Sequence, residues 1–200
     1  MQQPSLPWQA FQTIYREQRW GHGSGPGSSP ANTIEYRAFI ERFITANRIR
    51  TVTDFGCGDW QFSYLIDWSQ VDYTGIDIVP EIIECNRNRF TAPNIRFQVL
   101  NAIDELPGGD LLLSKEVLQH LPNHAVIDYL PVIRKKYRFA LLTNAIEPTA
   151  ANIDVAAGGW RPVRLQDAPF NTAGAVIFTY FPQAGNVTFK NATFLMLGDA

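Results

Sequence analysis

An acid, two glycines and a second acid at fixed spacing carry the chemistry of this chain. In Thr51-Val52-Thr53-Asp54-Phe55-Gly56-Cys57-Gly58-Asp59-Trp60 an apolar run leads straight into Gly-x-Gly. Such a strand-turn brings backbone close to a ligand at the carboxyl edge of an α/β sheet, because glycine adopts conformations that a side chain forbids. The ligand implied is nucleotide-like. A dinucleotide fingerprint needs a third glycine at position 61, where Gln61 stands, and a diphosphate disfavours an acid at the turn, where Asp54 stands. An anionic side chain there suits a ligand with a cationic amino group. About twenty residues further on, Tyr73-Thr74-Gly75-Ile76-Asp77-Ile78 ends a second strand in an acid, where a carboxylate can accept from both hydroxyls of a ribose. Either acid alone reads as a strand-end cap or turn residue; together, with the glycines between them, they point to a binding site.

On these residues the chain resembles the class I S-adenosylmethionine-dependent methyltransferases. Asp54-Phe55-Gly56-Cys57-Gly58 matches their acid-x-Gly-x-Gly motif and Asp77 their ribose-binding acid. Leu112-Leu113-Ser114-Lys115-Glu116-Val117-Leu118-Gln119-His120-Leu121 matches the fourth-strand segment of many small-molecule members, and the likeness spans roughly residues 34 to 144. The resemblance implies S-adenosylmethionine as cofactor, with Gly56 and Gly58 permitting close approach, Asp54 facing the methionine amino group and Asp77 holding the ribose. It places Ile78 against adenine and the Ala102 backbone N–H at its ring. Two positions depart from the family pattern: Trp60 replaces the third glycine, and Asn101 stands where an acid usually follows the third strand, leaving Asn101 or Asp104 as the adenine partner. The amide oxygen of Asn101 can still accept from an exocyclic amine. Cys57, inside the turn with no histidine adjacent in sequence, reads as a small space-filler.

Methyl transfer needs a neutral nucleophile held close and shielded from water, and a base where the acceptor is a hydroxyl or an ammonium. His120 is the first candidate base, expected on the helix after the fourth strand with Glu116 one turn earlier on the same face; the alternative is a packing histidine. His22 and His124 are weaker. Lys115 is placed either to contact the cofactor or an anionic substrate, or to be solvated. In the segment from Asn144 to Asn171, Trp160 and Arg161 offer an acceptor wall and an anion contact, with a loop pinned on the core as the alternative. Trp20 opens a glycine-rich stretch and suggests a ring anchored on the body.

These residues need an alternating α/β frame to position them. Trp8, Phe11, Ile14 and Tyr15 recur at helical spacing, predicting a helix over about 6 to 18. Residues 21 to 30, Gly-His-Gly-Ser-Gly-Pro-Gly-Ser-Ser-Pro, form either a linker or a lid over the ligand, and the sequence leaves both open. Asn32-Thr33-Ile34-Glu35 resembles a capping box before the amphipathic run Tyr36, Phe39, Ile40, Phe43, Ile44. Strands are expected at Thr51 to Phe55, Val71 to Ile78, Ile95 to Leu100, Leu111 to Ser114 and Phe139 to Thr143. Helices are expected between them at about Asp59 to Asp67, Pro80 to Asn88 and Asn123 to Lys136, the last kinked or offset by Pro131. Ala175 to Phe181 and Val187 to Leu197, joined by Pro182-Gln183-Ala184-Gly185-Asn186, predict a terminal hairpin. The fold class is a Rossmann-like, doubly wound α/β sheet, mostly parallel with an antiparallel C-terminal hairpin.

With 200 residues, 46% hydrophobic and 18% charged, one domain is the economical reading: 1–32 as helix and lid, 33–144 as cofactor core, 145–200 as acceptor loop and hairpin. A net charge of −2 lacks the basic excess of a nucleic-acid or membrane-surface binder, so the expected partner is a small molecule. Two cysteines and three histidines build neither a disulfide scaffold nor an obvious zinc site, and no apolar run nears the roughly 20 residues that span a bilayer. A cytoplasmic protein is expected, and the N-x-T sequons at Asn186 and Asn191 are discounted. Three functions are weighed: methyl transfer to a small-molecule or saccharide-type acceptor, cofactor binding without transfer, and an NAD-linked oxidoreductase, which Gln61 and Asp54 disfavour.

Overall fold

A computed structural model describes residues 8–182 and 190–199. Its helices are α1 (Trp8–Arg16), α2 (Ile34–Asn47), α3 (Pro80–Phe90) and α4 (Asn123–Lys136). Its strands are β1 (Thr51–Phe55), β2 (Asp72–Asp77), β3 (Ile95–Val99), β4 (Gly109–Lys115), β5 (Tyr137–Ile146), β6 (Ala175–Tyr180) and β7 (Lys190–Leu197). The described strands form one sheet in the order β3-β2-β1-β4-β5-β7-β6. Pairing is parallel from β3 through β5, whereas β7 runs antiparallel to both β5 and β6. The expected mixed sheet with a reversed terminal pair is therefore what the chain builds. The start of the first predicted helix at residues 6–7, the hairpin turn at 183–186, the Val187 end of the last strand and the Asn186 sequon lie outside the described residues.

Two apolar layers sandwich this sheet, and the alternation of β4 shows how. Leu112 faces a core built with Phe11 and Ile14 of α1, Val126 and Ile133 of α4, and Phe194. Leu111 and Leu113 face the opposite core with Tyr36 and Ile40 of α2, Ile83 of α3, Tyr73 and Phe97. Successive strand residues point to opposite faces, so a continuous apolar run such as Leu111-Leu112-Leu113 suits a strand covered on both sides. The strand order reverses between β1 and β4, which opens a crevice at their carboxyl ends.

Three local expectations are corrected. The helix expected over Asp59 to Asp67 reduces to a single 3-10 turn at Ser63–Leu65. Trp60 takes a left-handed φ of 59°, which no helix interior tolerates, and the Trp68 indole N–H takes the Ser63 carbonyl at 2.7 Å. Asn32 does not cap α2: the helix begins at Ile34, and the Asn32 amide donates to the Pro26 carbonyl at 2.8 Å. His120 stands on a 3-10 turn, Leu118–His120, rather than on an α-helix, with Glu116 before it at φ 57°. The helix α4 runs through Pro131. Among the described residues no helix is long and apolar enough to cross a membrane.

Candidate active site

A cavity of about 290 Å³ opens at the carboxyl ends of β1, β2 and β4, beneath α1 and the glycine-rich segment. That volume sits near the lower end of small-molecule pockets, which start at roughly 300 Å³. Its floor is the turn after β1. Gly56 and Gly58 have φ of 76° and 55°, and their surroundings leave no room for a side chain: a Cβ on Gly56 would strike Val117, and one on Gly58 would strike Ser24. The Gly58 carbonyl is held from α3 by the buried Asn86 amide at 2.7 Å.

Two buried carboxylates line this floor. Asp77 accepts from the Gly58 N–H at 3.1 Å through Oδ2 and from the Val79 N–H at 3.0 Å through Oδ1. Burial raises its pKa, and those N–H groups hold part of the rise back. Asp54 accepts from the Tyr73 hydroxyl at 2.6 Å, and that hydroxyl accepts from the Trp60 indole N–H at 2.8 Å. Burial pushes Asp54 up to about 6 against the pull of Tyr73 and Lys115. Trp60 lies outside the cavity wall, its ring among Tyr73, Phe90 and Phe97, so the residue replacing a glycine builds the core behind Asp54 instead of the pocket. Cys57 lines the cavity with a buried thiol whose pKa burial raises. Ile78 and Leu100 form an apolar flank.

Asn101 and Ala102 are not part of the wall. The Asn101 backbone N–H and side-chain amide both donate to Glu105, at 3.2 and 3.3 Å, and the residue is exposed.

At the end of β4 the Lys115 ammonium is 2.6 Å from Glu116 Oε2 and donates to the Gly27 carbonyl at 2.9 Å. It also faces the Tyr36 and Phe62 rings at 5.8 and 5.5 Å. Burial raises the Glu116 pKa, but Lys115 and an Asn191 amide at 3.0 Å outweigh it and leave the carboxyl below its ordinary value. The Asn191 sequon residue is accordingly buried and engaged.

His120 meets the Gly159 carbonyl through Nδ1 at 2.6 Å. A carbonyl only accepts, so Nδ1 carries the hydrogen and Nε2 keeps a lone pair. Burial lowers the ring's pKa, which favours this neutral form. The Gln119 amide oxygen is fixed by the Ala145 N–H at 2.8 Å, which aims the amide nitrogen toward His120 Nε2 at 3.5 Å. Trp20 lies against His120 with centroids 4.8 Å apart and ring planes tilted by 38°, and both line the cavity with Trp160.

The anion contact expected of Arg161 is corrected. Its side chain is fully buried and outside the wall, donating to the Leu121 carbonyl at 2.6 Å, the Gln119 carbonyl at 3.4 Å and Asn123 Oδ1 at 2.8 Å. Arg161 pins the 145–171 loop under His120 and faces no ligand.

The glycine-rich segment is ordered against the site. Ser24 Oγ donates to Asp59 Oδ1 at 2.6 Å, accepts from the Asp59 N–H at 3.1 Å and lies 2.9 Å from the Tyr15 hydroxyl. Together with the Lys115 bond to Gly27, this roofs the cavity. Tyr73, Asn86, Asn191, Gln119 and Ser24 were not legible as site residues; for Asn86 the one signal is a polar residue on the inward face of an amphipathic helix.

No family model matches the chain. Solved structures do. The 1,6-didemethyltoxoflavin-N1-methyltransferase of Burkholderia thailandensis, with its substrate and S-adenosylhomocysteine, superposes at TM-score 0.66 and 14% identity over 100% of this chain and 94% of that one. The N-methyltransferase NodS of Bradyrhizobium japonicum, with S-adenosylhomocysteine, gives 0.65 and 14% over 96% and 99%. The magnesium protoporphyrin IX methyltransferase of Synechocystis, with S-adenosylmethionine, gives 0.64 and 14% over 99% and 100%. From β3 to β6, the chain has the fold of the class I S-adenosylmethionine-dependent methyltransferases.

Proposed function

We propose that this protein binds S-adenosylmethionine and transfers its methyl group to a small-molecule acceptor. The observation that carries the reading is the floor of the cavity, where a two-glycine turn that admits no Cβ lies between the buried acids Asp54 and Asp77. Such a floor fits the group: Gly56 and Gly58 allow close approach, Asp77 accepts from ribose hydroxyls, Asp54 meets the amino group, and Ile78 and Leu100 flank the base. Lys115 reaches the site indirectly, by holding Gly27 over it. S-Adenosylmethionine, when bound, supplies a methyl group on a sulfonium whose carbon–sulfur electron pair leaves with the sulfur.

The chain's own part is placement, exclusion of water and one proton. The roof through Ser24 and Gly27 shields the cleft, and shielding with alignment supplies most of the acceleration such a displacement needs. His120 serves as general base through Nε2, with Gly159 fixing the tautomer and Trp20 the ring plane. Trp160 forms the outer wall. Incubation of the purified protein with methyl-labelled S-adenosylmethionine and a small-molecule extract tests the reading: label should move into a metabolite. Cofactor binding with no labelled product under any condition would make the protein a sensor instead.

A further inference from the structure

A second cavity, of about 220 Å³, lies on the sheet face that α1 and α4 cover elsewhere, and it shares no described lining residue with the first. The crossover from β5 to β6 explains it. Residues 147–174 contain no helix, so an irregular loop rather than a packed helix covers β5 and β7 there. Leu142, Asn144 and Ile146 alternate along β5 onto this face, and Phe194 of β7 pairs with Leu142. Val163 and Leu165 of the loop close the other side. Val176 of the edge strand β6 stands at the rim, 42% exposed.

One polar atom in this wall is unanswered. Asn144 is 2% exposed, and its Oδ1 finds no hydrogen-bond partner among the described residues. Buried polar atoms are nearly always paired, and an orphan has given up its hydration for nothing. Water answers it poorly, because an ordered buried water needs about two to four polar partners. The other polar groups in the described lining are Arg164, held by the Pro148 carbonyl at 2.5 Å and by Asp167 at 3.1 Å, and the exposed Gln166.

We propose that this cavity is a second small-molecule site, taking a neutral, mainly apolar molecule of at most bicyclic size that donates an N–H or O–H to Asn144 Oδ1. A cavity of about 150 Å³ lined by Leu, Ile and Phe holds benzene, so 220 Å³ leaves room for a fused ring. The apolar walls supply contact area and Asn144 supplies orientation, the division of labour usual in small-molecule pockets. A charged ligand would find nothing there to replace its hydration, since Arg164 is already ion-paired. The site stands apart from methyl transfer and does not depend on it.

Calorimetric titration of the full chain with indole tests the proposal, with 1-methylindole, which keeps the ring and lacks the donor, as the comparison. Indole should bind about fivefold tighter than 1-methylindole, the difference expected of a single hydrogen bond. Asn144→Leu should bring the two affinities together. Val176→Trp, a change at the exposed rim, should weaken both ligands about tenfold or more by filling the mouth of the cavity. Absence of indole binding, equal affinities in the parent, or indole binding that both substitutions leave unaltered would overturn the proposal.

Discussion

The Tyr73 hydroxyl donates to Asp54 across 2.6 Å, and neither side chain reaches open solvent. Asp54 is the last residue but one of β1 while Tyr73 lies near the start of β2, so the bond crosses the sheet's face from one strand to its neighbour. Trp60 completes the line by donating to the same Tyr73 oxygen. Trp60 thus helps fix the carboxylate that we propose meets the cofactor's amino group. Besides Tyr73, the charged or titratable groups acting on Asp54 are Asp77 from β2 and Lys115 from β4, and Asp54 in turn acts on Tyr36 of α2 and Cys57 of the turn.

Removing the Tyr73 hydroxyl should therefore change the pH dependence of cofactor binding. Asp54 must be ionised to meet an ammonium, so affinity falls as pH drops through its pKa of about 6. Tyr73→Phe deletes a donor to the charged form, which should raise that pKa by about one unit and weaken binding near pH 6 about fivefold, with little change at pH 8. Titrations from pH 5 to 8 read the shift. Tyr137→Phe, a deletion elsewhere in the sheet, should leave the profile in place; an unmoved profile in Tyr73→Phe would mean its hydroxyl does not act on Asp54.

Asp54 also sets a cost on the ligand-free fold. Its native pKa of about 6 lies above the ordinary value of 3.8, so between those values the folded state holds its proton more tightly than the unfolded one. Stability contributed by protonated Asp54 is lost as pH rises through that window, and a rise of about two units amounts to up to about 3 kcal/mol at pH 7. Asp54→Asn should accordingly stabilise the ligand-free protein at pH 7 by about 1–3 kcal/mol in urea unfolding while abolishing tight cofactor binding. A destabilised variant would contradict the burial argument.

His120→Ala should lower turnover by about 10²–10⁴ with cofactor affinity nearly unchanged, the range expected for loss of a general base. The acid limb of kcat/KM should carry the His120 titration below the ordinary 6.5, because burial disfavours the imidazolium. Loss of His120 should remove that part of the limb and leave the part due to Asp54. Equal turnover in variant and parent would return His120 to a packing role.

Arg161→Met should destabilise the fold by about 3 kcal/mol or more, since it strips the charged donor from Leu121, Gln119 and Asn123 in a buried site. Thermal unfolding would show it as a fall of several degrees; an unchanged melting temperature would mean that the loop is held without it.

The sequence made the cofactor half legible because its signals are local. Asp54, Gly56 and Gly58 fall within five residues, and the apolar run of each strand is contiguous. Non-local partners were invisible. Arg161 looked available because the carbonyls it binds lie some 40 residues earlier in the chain. The local pattern at Asn32 fits a cap, yet the Pro26 carbonyl takes its amide. The helix expected over Asp59 to Asp67 fails because the left-handed Trp60 and the Trp68 indole shape that stretch instead. Residues 21 to 30 are held over the site through Ser24 and Gly27, whose partners Asp59 and Lys115 are distant in sequence.

Calorimetric titration of the parent protein and Asp77→Ala with S-adenosylmethionine, with NAD as the comparison ligand, tests the central claim most directly. Asp77 is the acid proposed to hold the ribose, and loss of its charged contact should weaken S-adenosylmethionine binding by about 1.5–3 kcal/mol in a folded variant. The account predicts one S-adenosylmethionine per chain, no NAD binding and that loss in Asp77→Ala. Binding of NAD but not S-adenosylmethionine, or equal S-adenosylmethionine affinity in parent and variant, would contradict it.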